Sequence, residues 1–260
     1  ALAMAVNEAW AMLAAITLMH RAAREDSARA QVLLEHLCER DPRHAAARAW
    51  LAKWHVLQVV QGWAPADGSS ERRALDEVHR ALDINPGSSL ALTLRGLVRA
   101  YLGKDFDAAG RDYAEALDLN PNEPLAWLFH ATLTGWQGRG GVAVPASERA
   151  LSLSPLDPMK YFFDSLAATA ALSGQDAERP IRLARRSLRQ NRLHASTWRT
   201  LVFALDRAGR ADEAREAGED LMRVEPGLTL TRFAERFPGR DGPLMGPWLA
   251  ALERAGVPRH

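Results

Sequence analysis

One short phrase recurs along the chain and constrains its fold more than any other feature. The phrase begins with Leu or Met and ends in Pro or, once, in Arg, as in residues 117–121, Leu-Asp-Leu-Asn-Pro. Its last residue falls at positions 42, 86, 121, 155, 192 and 226, with spacings of 44, 35, 34, 37 and 34 residues. A structural unit of about 34 residues is therefore repeated, and each unit has to bury its apolar face against its neighbours.

The interior of each unit identifies the repeat. In the fourth unit, small residues and one tryptophan fall at regular offsets: Trp127, Ala131, Gly138, Ala143 and Ala150. Small residues are needed where two helices approach closely, and a large residue fills the gap to the next unit. This pattern is typical of the tetratricopeptide (TPR) repeat, a helix-turn-helix unit. The sequence predicts an all-α, TPR-type α-solenoid, a right-handed superhelix of about six helix-turn-helix repeats with C-terminal capping helices.

The repeat pattern also predicts where the parts of the chain begin and end. We expect the repeat array to occupy residues 1–226 and the capping helices to occupy residues 227–260, because the pattern stops after Pro226. Gly138, Gly174 and Gly209 are predicted to end helices in the left-handed conformation that glycine adopts readily.

The N-terminal run of Ala, Leu and Met predicts an amphipathic helix over Val6–His20. Asn7 and Glu8 interrupt the run, no basic segment precedes it, and it is short for a membrane span. We therefore expect neither a signal peptide nor membrane insertion, and a cytoplasmic protein. The absence of an initiator Met suggests an excised or processed fragment.

Charge and motifs argue against several classes of function. Lys and Arg number 33 against 32 acidic residues, and the signs alternate as on a solvated helix surface, so no direct nucleic-acid binding is predicted. The single cysteine, Cys38, allows no intrachain disulfide and is expected to pack as a small apolar residue. The glycines of residues 138–141 are expected at an inter-helix turn and not in a phosphate-binding loop. We predict no catalytic residue, no metal and no cofactor, and hence no enzyme.

One insertion lengthens the second unit by about ten residues. Residues 62–70 have the Gly, Pro and Ser content of a loop, and they follow the stretch that begins at Trp54. Two interpretations are open. The insertion is a long inter-helix loop fixed by a packed Trp63, or it is a lid or partner-binding loop.

Three stretches resemble a particular bacterial group. They are residues 54–58 (Trp-His-Val-Leu-Gln), 61–63 (Gln-Gly-Trp) and 252–258 (Leu-Glu-Arg-Ala-Gly-Val-Pro). They are similar to the C-terminal TPR regions of class III adenylate/guanylate cyclase-like proteins and of related winged-helix transcriptional regulators. The resemblance implies a signal-receiving region that follows an N-terminal effector domain. Cyclase or DNA-binding activity would belong to that domain, so no catalytic residue carries over to this chain.

The first helix of each TPR hairpin lines the concave surface, so the register predicts which side chains face a ligand. We expect a protein or peptide partner there, such as an apolar side chain or an amphipathic helix, with the protein's own effector domain, its C-terminal segment or a small molecule as further candidates. The alternative is that these aromatic residues form the core between repeats. The predicted binding-face residues are Trp50, Trp54, Tyr101, Phe129, Trp136, Phe162, Phe163, Arg199 and Phe203.

Three functions remain open at this point. The first is a non-catalytic interaction and regulatory module of a larger bacterial signalling or transcription protein. The second is a small-molecule-sensing domain with a pocket in the concave groove. The third is a free-standing TPR adaptor.

Overall fold

The computed structural model of the protein describes residues 2–64 and 67–260, with side chains from residue 7 onward. Helices make up the regular structure of these residues. In chain order they are α1 (Leu2–Met19), α2 (Arg24–Arg40), α3 (Ala45–Val60), α4 (Ser69–Ile84), α5 (Ser89–Val98), α6 (Phe106–Leu119), α7 (Pro124–Trp136), α8 (Gly140–Leu153), α9 (Lys160–Ala171), α10 (Glu178–Gln190), α11 (Ala195–Arg207), α12 (Ala211–Val224), α13 (Leu230–Arg236) and α14 (Met245–Arg254). A five-residue π-helical turn, Arg99–Gly103, continues α5.

The predicted repeats are confirmed over these residues. The helices α1 to α12 pair in order into six hairpins. The second helix of each hairpin ends two residues before the last residue of the recurring phrase. The N-terminal helix begins earlier than the predicted Val6. No helix of the described residues has the length and apolar character needed to cross a bilayer.

The chain divides into two compact units, residues 1–126 and residues 127–260. In the first unit, small side chains bring helices together: Leu92, Ala116 and Ala126 form one buried cluster. In the second unit, Ala131, Ala143, Ala146 and Ala170 form another, with Trp127 packed against it. Residues 227–260 belong to the second unit, so the predicted capping helices pack as part of it.

The connection within the second repeat nearly coincides with the predicted insertion of residues 62–70. Helix α3 continues through Trp54 to Val60, and the connection to α4 comprises only residues 61–68, of which 65 and 66 lie outside the described residues. The Trp54 indole donates a hydrogen bond of 2.8 Å to the Ser27 carbonyl oxygen of α2. Trp63 is half-buried, and its backbone N–H donates to the Gln58 carbonyl oxygen at 2.8 Å. These contacts favour a fixed inter-helix loop over a lid.

Two of the three predicted turn glycines adopt the left-handed conformation. Gly138 has a φ of 76° and Gly209 a φ of 74°. The prediction for Gly174 was wrong, because its φ is not positive. Gly174 is needed for a close approach instead, since an added Cβ would lie 3.0 Å from a methyl carbon of Val144 in α8.

Two adjacent glycines at the start of α8 should respond in opposite ways to replacement by alanine. A Cβ at Gly140 would lie 2.1 Å from the Ser173 carbonyl oxygen, whereas a Cβ at Gly141 would meet nothing within 4 Å. We expect Gly140→Ala to lower the free energy of unfolding by about 1–3 kcal/mol through overpacking. Gly141→Ala is the matched control and should stabilise the helix by up to about 1 kcal/mol. Chemical denaturation of both variants measures the difference, and equal stabilities would contradict the close approach of α8 to Ser173.

Candidate functional site

The predicted binding-face residues are nearly all buried. Eight of these residues expose 9% or less of their surface, and Tyr101 is half-buried. Such burial leaves little area for a ligand and favours the alternative interpretation, in which these residues form the core between repeats. The eight are Trp50, Trp54, Phe129, Trp136, Phe162, Phe163, Arg199 and Phe203.

In the first unit, the predicted residues hold neighbouring helices together. Trp50 meets the His20 ring edge-on at 6.2 Å between centroids, and the Lys53 ammonium lies 4.8 Å from the Trp50 ring centre. Burial raises the pKa of the Tyr101 hydroxyl above its usual range, so this group stays protonated. These contacts are those of a packed interior.

In the second unit, the protein's own C-terminal segment covers part of the predicted face, at Trp136, Arg199 and Phe203. We call residues 229–257 the C-terminal segment. Phe237 packs edge-on against Trp136 at 5.7 Å, and Trp248 stacks on Phe203 at 5.1 Å. The Trp248 indole also donates a hydrogen bond of 3.1 Å to the Arg199 carbonyl oxygen. Of the occupants expected for this face, the C-terminal segment is therefore the one that the structure contains.

Ion pairs fasten the same segment at two further points. Arg254 of α14 donates two hydrogen bonds, of 2.8 and 2.6 Å, to the carboxylate of Asp206 in α11. Arg236 of α13 pairs with Glu225 at 2.6 Å, and both side chains are largely buried. Bidentate and partly buried pairs of this kind fix geometry better than solvated ones. The C-terminal segment is thus a built part of the second unit.

The opposite face of α11 forms the floor of an open groove. We call it the α10–α12 groove, after the two helices that form its walls; its volume is about 550 Å³. Trp198, Leu201 and Leu205 of α11 lie in the floor, at the i, i+3, i+7 spacing that places side chains on one face of a helix, and each exposes 7% or less of its surface. The residues that touch the C-terminal segment, Arg199 and Phe203, lie on the other side of α11. Helix α11 is therefore covered by the C-terminal segment on one side and lies at the base of the groove on the other, so the exposed part of the groove is its walls.

The two walls of the groove carry opposite charges. The α10 wall has basic residues, the α12 wall has acidic residues, and Leu188 and Ala217 extend the apolar floor. The basic wall consists of Arg185 and Arg189 of α10 and Arg192 of the turn that follows it, and the acidic wall of Glu213, Glu216 and Asp220 of α12.

Within the described part of the chain, the recorded ion pair between the walls lies at one end. Arg185 and Glu213 form an ion pair there, and Arg210 also binds Glu213. The hydrogen bond from Arg210, followed by that from Arg185, lowers the pKa of Glu213 below its usual range, so this carboxylate stays charged at neutral pH. At the other end, Trp198 donates a hydrogen bond of 2.8 Å to the Arg192 carbonyl oxygen and holds the α10–α11 turn beside the floor.

Sequence reasoning missed this groove although a signal was present. In α10, Arg182, Arg185 and Arg189 follow helical spacing, and α12 repeats that spacing with acidic residues. The alternating charges along the chain predicted only a solvated surface, because the charge pattern of one helix does not show which charges the helix one repeat away presents. The pairing of a basic and an acidic wall becomes visible once α10 and α12 are placed side by side.

The hairpins define the class of fold, which is an all-α, TPR-type helical repeat. No family model matches the sequence, and no curated protein matches it. Similar solved structures include a chain of the APC/C hetero-tetramer Cut9–Hcn1, with a TM-score of 0.63 at 15% identity over 93% of this chain and 44% of that chain. PilW, a type IV pilus biogenesis factor, aligns with a TM-score of 0.55 at 18% identity over 78% and 90% of the two chains. For pilF of Pseudomonas aeruginosa the TM-score is 0.52, at 16% identity over 79% and 90%.

Proposed function

We propose that this chain is a protein-interaction module that binds a segment of a partner protein in the α10–α12 groove. The observation that carries the proposal is an open groove of about 550 Å³ between a basic and an acidic wall. The opposite side of α11 is covered by the C-terminal segment, so a ligand beside this helix would lie in the α10–α12 groove and contact mainly its exposed walls.

The groove has the chemistry of a peptide site. Each large apolar side chain that is fully buried on its floor would contribute about 1.5–3 kcal/mol. The exposed walls favour an extended or helical segment over an enclosed small molecule, because small-molecule sites usually surround most of the ligand.

A groove-filling substitution tests the site. Glu216 is exposed and lines the groove, whereas Glu219 is exposed on the same helix and does not line it. Peptides are selected from a displayed random library on the unmodified chain, and their affinities are then measured for Glu216→Trp and Glu219→Trp. We expect Glu216→Trp to weaken them about tenfold or more, because the indole takes the volume that bound side chains need, and Glu219→Trp to leave them unchanged. Peptides that bind both variants equally, or a selection that yields no binder, would refute the proposal.

The wider context is a separate part of the proposal. The resemblance of residues 54–58 and 252–258 supports a regulatory region of a larger, cytoplasmic bacterial signalling or transcription protein, whose effector domain would be one partner. The structure gives both stretches packing roles. The first lies within α3, and in the second the Pro258 carbonyl oxygen accepts a hydrogen bond from Leu230 N–H. The coding sequence upstream of Ala1 decides the matter: a cyclase-like or winged-helix domain there would support this context, and any other arrangement would refute it.

A further inference from the structure

We infer that the exposed face of α1 binds the same face of a second copy of this chain, so that two copies form a dimer with two-fold symmetry. The inference is independent of the α10–α12 groove, because α1 belongs to the first unit. Its basis is an apolar surface that a later hairpin buries and the first hairpin leaves open. We call this surface the α1 face; it consists of Ala9, Trp10, Leu13, Ala14 and Thr17.

The α1 face presents large apolar side chains to solvent. Trp10 is 66% exposed and Leu13 is 49% exposed. Ala9 and Ala14 beside them are exposed as well. Trp10, Leu13 and Thr17 follow the i, i+3, i+7 spacing of one helix face. The Thr17 hydroxyl donates a hydrogen bond of 2.8 Å to the Leu13 carbonyl oxygen, so the face can be covered without leaving this donor unpaired. An apolar patch around a tryptophan is typical of protein–protein contacts.

Helix α11 shows how the same positions are covered in a later hairpin. Trp10 and Trp198 each lie nine residues before the last residue of their helix, so Leu13 corresponds to Leu201. Trp198 and Leu201 are only 7% and 4% exposed. Helix α10, from the preceding hairpin, packs against α11, and the Trp198 indole donates a hydrogen bond to the Arg192 carbonyl oxygen in the turn after α10. The α1 face is therefore the surface that a helix of another hairpin would cover.

The other hairpins follow the same rule. Helices α3, α5, α9 and α11 each contact the second helix of the hairpin before them. Helix α1 is the first helix of the described residues, so among these residues no such helix lies on it. Burial of its apolar face has to come from another molecule or from a further segment of chain.

The charge of the α1 face favours a second copy as the occupant. Glu8 is the one charged residue in the sequence of α1, and it lies two positions from Trp10, which places it on a different side of the helix. A two-fold axis brings identical residues of two copies together, so a charged face would meet its own charge. The uncharged α1 face avoids this repulsion, and a second copy supplies a face of the same apolar chemistry.

The shape of the α1 face is also compatible with itself. Trp10 lies at one end, and the smaller Ala14 and Thr17 lie at the other. Two antiparallel α1 helices centred on Leu13 would place each Trp10 against the small residues of the other copy. A bulky side chain then meets small ones at both ends, which permits close packing.

A head-to-tail assembly of copies is disfavoured. In such an assembly α12 of one copy would take the place on α1 that α10 has on α11. The C-terminal segment already lies against α12, since a Cβ added at Gly218 would lie 2.3 Å from the Ala255 carbonyl oxygen. We therefore expect a closed dimer through the α1 face and not an open filament.

Sedimentation of the full chain at increasing concentration tests the inference. The α1 face is small compared with obligate interfaces, so we expect a weak dimer that dissociates on dilution. Leu13→Arg should abolish the dimer, because the two-fold axis brings the two introduced charges together. Leu156→Arg is the matched control, at a leucine that is 93% exposed in the turn after α8, and should keep the dimer. A chain that stays monomeric up to about 1 mM, or that forms assemblies larger than a dimer, would overturn the inference.

A mixture of two charge variants gives the complementary test. Leu13→Glu alone should be monomeric for the same reason as Leu13→Arg. An equimolar mixture of the two should dimerise about tenfold more tightly at low salt than either variant alone, and added salt should reduce this difference. A mixture that associates no better than its components would contradict the two-fold contact at Leu13.

A truncation keeps the inference testable if a charge at position 13 disturbs the fold. Trp10→Ala removes the most exposed side chain of the α1 face and should weaken the dimer about tenfold or more. Melting curves at a concentration where the chain is monomeric check that the fold is kept. A Trp10→Ala chain that dimerises as tightly as the unmodified chain would overturn the inference.

A helix encoded upstream of Ala1 is the alternative occupant. Where the coding sequence extends upstream, the longer chain is measured in the same way. A dimer of the longer chain that Leu13→Arg abolishes would support the inference. A longer chain that stays monomeric would overturn it, because its own upstream segment would then cover the α1 face. Neither result bears on the α10–α12 groove, which the Glu216→Trp comparison tests separately.

Discussion

Replacement of Trp248 by Ala is expected to lower the free energy of unfolding of the second unit by about 3–5 kcal/mol, the usual cost of removing a buried tryptophan. Trp248 is 2% exposed and lies at the centre of an aromatic cluster. It stacks on Phe203 at 5.1 Å, meets Phe237 edge-on at 4.9 Å, and donates its indole hydrogen bond to the Arg199 carbonyl oxygen. The substitution removes all three contacts and leaves a buried carbonyl oxygen without this donor.

The effect is measured by urea denaturation followed by circular dichroism. Trp10→Ala provides a matched control, because Trp10 of α1 is 66% exposed and its loss should change stability by only about 0.5 kcal/mol. Hydrogen exchange should show that α13 and α14 lose protection first in Trp248→Ala. A loss of stability below about 1 kcal/mol would show that the C-terminal segment is not a built part of the second unit.

Acidification is expected to destabilise the protein from about pH 6.5 downward, through His194. Burial, aided by the nearby charge of Arg199, lowers the pKa of His194 from 6.5 to about 3. Between about pH 3 and pH 6.5, His194 is protonated in the unfolded chain and neutral in the folded chain. Stability therefore falls with decreasing pH by about 1.4 kcal/mol per pH unit for such a group, until the folded form also becomes protonated near pH 3. Burial also lowers the pKa of His55, to about 4, which adds a loss of the same sign.

Denaturation at pH 7, 6 and 5 measures this slope, and these values lie above the range where most carboxylates titrate. His194→Asn should flatten the pH dependence, because the substituted side chain does not titrate. His79→Asn, at an exposed histidine of α4, should keep the slope of the unmodified chain. Equal slopes in all three proteins would show that His194 does not stay neutral in the folded state.

The hairpins were predictable because their signals are local and repeated. Each recurring phrase sits where a second helix ends, as Leu119 and Val224 show, and left-handed glycines end the predicted helices at 138 and 209. The position of the insertion was predictable for the same reason, because the Gly, Pro and Ser content of residues 62–70 marks the connection that runs from residue 61 to residue 68.

The binding face was not predictable to the same degree, because exposure depends on the contacts of distant segments. The register placed Trp136 and Phe203 on first helices, but it could not show that Phe237 and Trp248 cover them. Gly174 illustrates the same limit. A glycine at this position suggested a left-handed backbone conformation. The structure instead places Gly174 close to Val144 of another helix, where a side chain would be crowded.

Helix α11 lies between the C-terminal segment and the α10–α12 groove. If a ligand in the groove favours one position of α11, its binding is coupled to the packing of the C-terminal segment, and this coupling is reciprocal. A ligand that binds the groove more tightly when Trp248 is stacked on Phe203 must stabilise this stacking by the same free energy. The conformation of the C-terminal segment would then depend on a ligand that it does not contact.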